Sequence, residues 1–409
     1  MSTIITESST SSAVLELLAK SDYAPLIAQT RADPSQRSTV GASREVWQHI
    51  LENMSVSLLP LIANISATLE GNKIAVELNI PQALALRSAQ FAHLHAFWSS
   101  LSNCNQITAV QMDDQVVDAA VNQLSHFPNP ILQLACAQSK NNISNWDRIV
   151  RAGLPLYPSW YEAEDPAVDS FNNLISIYVD SDLVTRLLPS KDLTLYKVLE
   201  AVLSEQLKSA GTGLYTTLMD EINAIIDDIS EIFKRRDAEQ WTRIILLMEI
   251  LVQLMENNQN LKYRGYEMGA IKRFVDLLQA CSDHLPSYGK LSSAPKELSV
   301  DDFPMIKSGA LSVLSLLVIG SKQAQDELRT SGGLALVLGC CVLDANNPYM
   351  KERAIICIRY TLENNAENQK FVESLEVRQV MDPELIERAN LEVNVDSQGK
   401  IRLKSKRNT

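Results

Sequence analysis

The sequence has 409 residues and a formal net charge of −12, from 37 Lys and Arg against 49 Asp and Glu. A chain this acidic is repelled by nucleic-acid phosphates, so a globally basic nucleic-acid binder is excluded and we expect no nucleic acid among its partners. With only 14 Gly and 15 Pro, the chain lacks the turn residues of a many-stranded β protein, and the composition indicates an all-α fold.

The N-terminal residues and the apolar segments bear on targeting. Residues 1–12 are rich in Ser and Thr and match neither a signal nor a transit peptide, so we predict a disordered tail. The most apolar windows, Ile244–Val252 and Ala310–Ile319, are shorter than the roughly 18 residues that span a bilayer, which predicts a soluble protein without membrane insertion. Six cysteines without CxxC spacing predict reduced thiols inside the cell.

Helical periodicity is strong in the middle and C-terminal parts of the chain. It predicts helices over Gly213–Lys234, Trp241–Met255, Ala310–Ile319 and Ala354–Leu362. The last three are apolar on most faces, so we expect each to be sandwiched between neighbouring helices. Pro155–Val168, which is rich in Pro, acids and aromatics, is predicted to be a loop or a broken helix.

A repeated order of residues follows the buried helices. Each copy has an Asn-rich turn, a short amphipathic segment, a small-residue break and a new apolar helix, around Leu154, Ile271, Leu334 and Val377. The spacing is about 40 residues if 282–303, rich in Ser, Pro and charge, is an inserted loop, and this is the period of armadillo and HEAT repeats. We therefore predict an armadillo/HEAT-like right-handed α-solenoid, with repeats over 13–281 and again over 304–390.

The C-terminal segment has a different pattern. Leu391, Val393 and Val395 alternate with polar residues, and turn residues separate them from a second alternating run. This pattern predicts a short C-terminal β-hairpin followed by a basic tail, together covering 391–409. The basic residues of this region are Lys400, Arg402, Lys404, Lys406 and Arg407.

Catalytic and metal-binding motifs are not found in the sequence. Cys340 and Cys341 could form a soft-metal or redox pair, and Cys281 with His284 could share an ion, but buried apolar thiols without further ligands are the favoured interpretation. The sequence contains no phosphate-binding glycine loop, HExxH or GxSxG motif. We therefore predict no enzymatic activity, no cofactor and no metal.

One polar helix face is the candidate binding site. Glu352, Arg359 and Glu363 lie within about 40° of each other around a helix predicted over 350–363. If the last helix of each repeat lines a concave groove, this face could bind a partner protein. The full candidate groove comprises Glu249, Gln253, Glu256, Lys351, Glu352, Arg359 and Glu363. The alternative is an ordinary solvated face with an Arg359–Glu363 pair that contributes about 0.3 to 0.5 kcal/mol.

Two further features remain open. Asn346 and Asn347 precede Pro348, so we expect an Asn to cap the helix that follows. The loop 282–303 displays several serines and is either a contact or phosphorylation site or a tolerated insertion.

The C-terminal repeats resemble a known family. About residues 307–376 are similar to the C-terminal domain of the ataxin-10 family. Two segments carry the similarity: Asp344–Ile355, which has Asn-Asn-Pro followed by Lys-Glu, and Leu362–Gln369, which has the motifs Leu-Glu-Asn-Asn and Asn-Gln. The resemblance implies an armadillo-type scaffold in the cytoplasm, without catalytic activity, linked to cytokinesis, the cell cycle, cell division and cell signalling. Its partners would be other proteins, with self-association also possible.

Two other classes of protein are alternatives. A nuclear-transport adaptor like importin-α would need Asn four residues after groove tryptophans, and no Trp of this chain has one. An acidic groove could nevertheless attract a basic peptide. An enzyme, or a copper-handling protein using Cys340 and Cys341, is the third possibility.

Overall fold

The computed structural model describes residues 7–106, 112–140, 146–181, 183–206, 212–287, 302–380, 391–395 and 401–405. The fold class predicted from composition is confirmed at the level of secondary structure, because helices account for almost all the regular structure of these residues. The chain divides into two compact units, Met1–Leu214 and Tyr215–Thr409.

Unit 1 consists of short and medium helices. In chain order they are α1 Glu7–Ala19, α2 Ala24–Ala32, α3 Pro34–Gly41, α4 Arg44–Glu52, α5 Leu59–Ser66, α6 Leu69–Glu77, α7 Ile80–Ala85, α8 Ser88–Phe91, α9 His95–Cys104, α10 Asp114–Gln123, α11 Pro128–Lys140, α12 Asp147–Gly153, α13 Tyr157–Glu162, α14 Ala167–Asp180 and α15 Leu193–Gln206. Short 3-10 turns occupy Val56–Leu58, Leu183–Arg186 and Leu188–Ser190.

Unit 2 begins within a helix and contains the longest helix described. Its helices are α16 Thr212–Asp227, α17 Ile229–Arg235, α18 Ala238–Asn257, α19 Gln259–Glu267, α20 Ala270–His284, α21 Ile306–Val318, α22 Lys322–Thr330, α23 Gly333–Gly339, α24 Met350–Leu362 and α25 Ala366–Val380. Two strands, β1 Leu391–Val395 and β2 Ile401–Ser405, pair antiparallel with Val393 opposite Leu403. The sequence predicts a hairpin over these segments. The assignment of the chain to the all-helical class is based on the helices alone.

Local sequence signals set many helix starts. Ser43 caps α4 by accepting a hydrogen bond from the Val46 N–H, and Asn258 caps α19 by accepting one from the Asn260 N–H, at 3.0 Å. Before α20 and α23 the chain turns at Gly269 and Gly332, which have φ of 72° and 81°. Glycine adopts this left-handed backbone without the steric cost that a Cβ brings, so a sharp change of direction is possible there.

Unit 1 is layered. α5, α9, α11, α14 and α15 pack successively, each on the next. Hydrogen bonds between layers join residues about 40 positions apart: the Ser100 hydroxyl donates to the Leu59 carbonyl, and the Asn103 side-chain amide to the Ala63 carbonyl at 2.8 Å. The repeat that is faint in the sequence of this half therefore exists as a spatial repeat.

Unit 2 has the same construction. α18 packs on α21, and α21 packs on α24. At the first of these contacts Gly309 lies so close to Met248 that a Cβ there would come within 2.6 Å of the Met248 methyl group. The side chains facing inward on α18 and α21, such as Leu251 and Leu314, are fully buried. Burial of both long helices on more than one face agrees with their nearly continuous apolar sequences.

A turn from one layer caps a helix of the layer before it. The Asn347 side-chain oxygen accepts a hydrogen bond from the backbone N–H of Lys307, the second residue of α21, at 3.0 Å. The Ser308 hydroxyl donates to the Pro348 carbonyl at 2.7 Å, and both bonds join residues 40 apart. The first N–H groups of a helix have no partner within it, so Asn347 satisfies one that would otherwise be buried without a bond.

This arrangement corrects the expectation that an Asn caps the following helix. α24 is preceded by Tyr349, which has φ of 63° and supplies no side-chain cap, and both Asn346 and Asn347 point back to the earlier layer. Asn346 donates from its side chain to the Asp302 carbonyl at 2.8 Å. Sequence spacing shows that these residues suit a helix start but not which helix they serve.

Two predicted boundaries of disorder and helix differ from the structure. α1 begins at Glu7, inside the segment 1–12 expected to be disordered, because Val14 and Leu18 are buried and extend the helical register. The single helix expected over Gly213–Lys234 is α16 and α17, broken at Asp228. The apolar stripe continues across the break, so periodicity alone does not reveal it.

Other boundaries agree or lie outside the described residues. The broken helix expected over Pro155–Val168 is present as α13 followed by the start of α14. α20 extends to His284, into the loop expected over 282–303, and most of that loop lies outside the described residues, as do residues 406–409 of the basic tail.

We expect Asn347→Ala to lower the free energy of unfolding by about 1 to 3 kcal/mol, because it leaves the buried N–H of Lys307 without an acceptor. Urea denaturation followed by circular dichroism measures the change. Asn257→Ala is the matched control: Asn257 is exposed at the end of α18 and bonds only locally, to the Gln253 carbonyl, so we expect a change below about 0.5 kcal/mol. Equal effects of the two substitutions would contradict the role given to Asn347.

Candidate protein-interaction site

The C-terminal end of α24 is held by buried side-chain amides. The Asn365 amide donates to the Gln325 side-chain oxygen at 3.1 Å and to an Asp326 carboxylate oxygen at 2.9 Å. The Asn368 amide donates to the Gln325 and Thr361 carbonyls, both at 3.0 Å. Asn365 and Asn368 are fully buried. The Asn-rich motif that resembles the ataxin-10 family therefore connects one layer of helices to the next by buried hydrogen bonds.

Arg329 strengthens the same junction between α22 and α25. Its guanidinium donates to the Asn368 side-chain oxygen at 2.6 Å and pairs with Glu367 at 3.0 Å. The hydrogen bond from Asn365, with a smaller contribution from Arg329, lowers the pKa of Asp326 below its usual value. α24 is therefore fixed at its start by the turn at Asn347 and at its end by this cluster, and its outer face is presented on a rigid element.

The predicted polar residues of α24 lie at the surface. Lys351, Glu352 and Arg359 are all exposed. Glu363 is exposed too, but it follows the last helical residue and has an extended backbone, with ψ of 120°. The predicted ion pair between Arg359 and Glu363 requires both residues to be helical, because only then are positions i and i+4 neighbours on the surface. Glu363 lies outside the helix, so this geometry is not present.

Two isoleucines that the sequence analysis assigned to the core belong to this face. Ile355 is 50% exposed and Ile356 is 46% exposed. On the helix they lie about 60° to one side and about 40° to the other side of Glu352, with Arg359 between them. The expectation that α24 is sandwiched on most faces is therefore wrong. We call Glu352, Ile355, Ile356 and Arg359 the α24 face.

Other exposed apolar residues lie close in sequence to the α24 face. Val342 is 54%, Leu343 61% and Tyr349 69% exposed, all in the turn before α24. The described part of the chain has ten large apolar residues with such exposure, and five of them fall between Val342 and Ile356. A concentration of exposed apolar side chains is typical of an interaction surface, whereas single ones are not.

The earlier part of the predicted groove lies on α18. Glu249 and Glu256 are exposed there, and Gln253 is half-buried. Glu249, Ser312 and Ile356 occupy equivalent positions in α18, α21 and α24. Each lies nine residues before the residue that caps the next helix, which is Asn258, Ser321 or Asn365 respectively. α21 lies between the other two helices, so the structure does not bring the acidic residues of α18 into contact with α24.

A polar cleft in unit 1 was not anticipated from the sequence. It has a volume of about 310 Å³ and is lined by α9, α11 and α14, including Asn103, Gln133, Lys140 and Asn173. The Asn173 amide donates to the Cys136 sulfur across the cleft, and the Asn103 amide is engaged by the Ala63 carbonyl of α5. We regard the cleft as a seam between layers.

All six cysteines are free thiols; five of them are buried, and Cys341 is partly exposed. Desolvation raises the pKa of the Cys104, Cys136, Cys281 and Cys357 thiols to about 12 and that of Cys340 to about 11. Within the described residues, no group of three or more His, Cys, Asp or Glu side chains converges as a metal site would require. In the same part of the chain, every helix is too short or too polar to span a bilayer.

Stacked helical layers joined by hydrogen bonds about 40 residues apart define an all-helical repeat protein. A family comparison is more specific: residues 306–404 match the model of the spinocerebellar ataxia type 10 protein domain. The resemblance to the ataxin-10 family that residues 307–376 predict is thereby confirmed. The matched range begins at α21, includes α24, α25 and β1, and ends within β2.

Curated relatives support the same family. The ataxin-10 homolog of Saccharomyces cerevisiae is 31% identical over 205 residues, 48% of this chain and 36% of the relative. That of Kluyveromyces lactis is 43% identical over 102 residues, 25% and 19% of the two chains. Human ataxin-10 is 25% identical over 199 residues, 47% and 41%. In each case the aligned part spans less than half the length of the relative.

A comparison with solved structures adds nothing to this assignment. The crystal structure of an engineered protein aligns with 86% of this chain and 91% of its own, at 13% identity and a TM-score of 0.32. A score this low carries no argument about the fold.

We expect one rapidly reacting thiol in the folded chain at pH 8. A thiol with a pKa of about 12 is deprotonated in only about one molecule in 10⁴ at this pH, and the thiolate is the nucleophile. Cys341 is the least buried of the six, so it should react first with Ellman's reagent, and Cys341→Ser should abolish the rapid phase. All six should react in guanidinium chloride. Rapid reaction of two or more thiols in the folded chain would contradict the burial described.

Proposed function

We propose that this chain is a non-catalytic scaffold, an armadillo-type right-handed α-solenoid that binds other proteins through the α24 face. The observation that carries the proposal is the half exposure of Ile355 and Ile356 on either side of Glu352 and Arg359, in a helix of the region that matches the family. An exposed apolar centre with charges around it has the composition of a protein-binding surface.

Energetics support this surface as a binding site. Covering the exposed halves of Ile355 and Ile356 removes apolar area worth about 1 kcal/mol for each side chain. α24 is clamped at both ends, so a partner does not need to order it on binding, and little of the gain is lost. Glu352 and Arg359 carry opposite charges and would select the orientation of a partner.

The acidic residues of α18 extend the proposed site. Glu249 occupies the place on α18 that Ile356 occupies on α24, and Glu256 is exposed two turns further on. If the three helices line one groove, a partner would meet apolar surface at α24 and negative charge at α18. A segment with apolar residues at one end and basic residues at the other would fit such a surface.

The cellular role is proposed from the family resemblance. It implies a cytoplasmic protein that acts in the regulation of cytokinesis, the cell cycle and cell signalling. These roles remain proposals for this chain because its alignments cover less than half of each relative described above.

The alternative of a nuclear-transport adaptor is less well supported. Such a protein would use exposed indoles to hold a basic peptide, but Trp47 and Trp98 are fully buried and donate to the carbonyls of Gly41 and Ala92. Trp241 donates to the Pro304 carbonyl at 2.8 Å, which ties α18 to the turn before α21. These indoles are committed to backbone of their own chain. The buried thiols likewise do not favour a copper-handling protein.

Ile356→Glu tests the proposal. We expect it to reduce the capture of partner proteins from cell extract at least tenfold, because the variant places a charge at the apolar centre of the site. Stability should change by less than about 1 kcal/mol, since Ile356 is already half in water. Leu86→Glu, at an 80% exposed position in unit 1, is the matched control and should capture partners as the wild type does. Unchanged capture by Ile356→Glu would refute the site.

The charged residues make a separate prediction. Replacing Glu352, Arg359 and Glu363 together by Ala should weaken binding less than Ile356→Glu does and should flatten its dependence on salt, since exposed ion pairs are screened. Binding measured between 50 and 500 mM NaCl reports both quantities. A salt dependence identical to that of the wild type would show that these charges do not contact the partner.

A further inference from the structure

Three helices of unit 1 carry an asparagine that bonds to a helix earlier in the stack. Asn64 of α5, Asn103 of α9 and Asn173 of α14 each donate from the side-chain amide. The acceptors lie on α2, α5 and α11, and they are the Ile27 carbonyl, the Ala63 carbonyl and the Cys136 sulfur. An amide side chain has two N–H donors and one oxygen, so Asn103 and Asn173 each retain a donor and an acceptor for a second partner.

Helix α11 interrupts this row of amides. Asn103 bonds to the residue before Asn64 in α5, and Asn173 bonds to the residue before Ala137 in α11. Ala137 therefore has the place in α11 that Asn64 has in α5. Its methyl group leaves open the space that an amide would fill, and the cleft of about 310 Å³ lies at this seam, lined by both Asn103 and Asn173.

The lining of the cleft is polar and carries a positive charge. Of its seven lining residues, five end in an amide or an ammonium group and none in a carboxylate: Asn103, Gln106, Gln133, Lys140 and Asn173. Its volume is at the lower end of the range for small-ligand sites, which are mostly apolar. A lining of amides and one cation selects instead a polar ligand with negative charge.

Lys140 supplies the charge at one end of the cleft. Gln133, Ala137 and Lys140 are spaced i, i+4 and i+7 on α11, so they lie within about 60° of each other around its axis. Burial raises the pKa of the Cys136 thiol to about 12, and the charge of Lys140 acts in the opposite direction, as expected for an ammonium group near this sulfur. Among the described residues, Lys140 has neither a hydrogen bond nor an ion pair from its side chain.

The net charge of the chain does not cancel this local charge. The chain as a whole carries −12, but distant surface charges are screened beyond about 8 Å at physiological ionic strength. An exposed ammonium group surrounded by amide donors forms charge-assisted hydrogen bonds with a carboxylate or a phosphate. The field within the cleft is therefore set by Lys140.

We propose that this cleft binds a peptide segment of a partner protein through an acidic side chain, a carboxylate or a phosphate, that contacts Lys140. Asn103 and Asn173 then bond to the peptide backbone, because their amides offer both a donor and an acceptor, as a backbone requires. A free anion has acceptors only and would leave the amide oxygens without a donor. The site lies in unit 1 and does not depend on the function proposed for the α24 face.

Charged thiol reagents test the site in the full-length chain. A thiol is introduced by Ala137→Cys in a Cys341→Ser background, with Gln133→Cys at an exposed position of the same helix face as a second reporter. The rate with a negatively charged methanethiosulfonate is divided by the rate with a positively charged one. We expect Lys140→Gln to lower this ratio about tenfold, because the ammonium group attracts one reagent and repels the other. Lys20→Gln removes the same charge at an exposed site outside the cleft and should leave the ratio unchanged.

Protection of the same thiol from a neutral methanethiosulfonate identifies the ligand. The probes are inorganic phosphate and blocked hexapeptides with a central pair of glutamates, phosphoserines or glutamines. We expect the glutamate or the phosphoserine peptide to slow labelling about threefold or more, and the stronger of the two shows which acidic group binds. The glutamine peptide should have no effect, and Lys140→Gln should remove the protection.

Several results would overturn the proposal. An unchanged ratio in Lys140→Gln would show that the ammonium group does not act in the cleft, and slow reaction of both introduced thiols would show that the cleft is closed. Absence of protection by either acidic peptide, or equal protection by the glutamine peptide, would refute recognition of an acidic side chain. Protection by inorganic phosphate equal to that by the peptides would show that the site takes a free anion and not a peptide.

Discussion

Hydrogen bonds from buried side-chain amides between residues about 40 apart hold the described layers together. Asn347 caps a helix that starts 40 residues earlier, and Asn365 bonds to Gln325 across the same interval. A buried amide without partners is costly, so these hydrogen bonds favour one register of each layer on the next. Apolar burial gives the layers their cohesion, and the amides determine how one layer is placed on the next.

This construction explains why the candidate site lies at the end of the repeats. Each inner layer has two neighbours, and its apolar residues are buried on both sides. The last layer has a neighbour on one side only, so a repeat sequence that is buried elsewhere becomes surface at Ile355 and Ile356. The amide clamps at both ends of α24 keep this surface rigid, as a binding site requires.

The sequence pattern was informative about helices and uninformative about their partners. Periodicity identified α18, α21 and α24, because this signal depends on residues within a few positions of each other. The sequence pattern assigns Asn347 to the helix that follows it, whereas the structure shows that it caps a helix about 40 residues earlier. A cap for a distant helix produces no local sequence signal. The polar residues of the α24 face were found in the sequence, whereas its apolar centre was not.

The sequence by itself determined the all-helical class, the repeat of about 40 residues and the family resemblance of the C-terminal region. These three features follow from local residue spacing and from short motifs such as Leu-Glu-Asn-Asn, which the sequence alone contains. Only the tertiary structure decided which apolar residues are covered. Burial depends on whether another layer follows, and Ile356 in α24 has the same local pattern as a core residue. Exposure is a property of the stack and not of the helix that carries the residue.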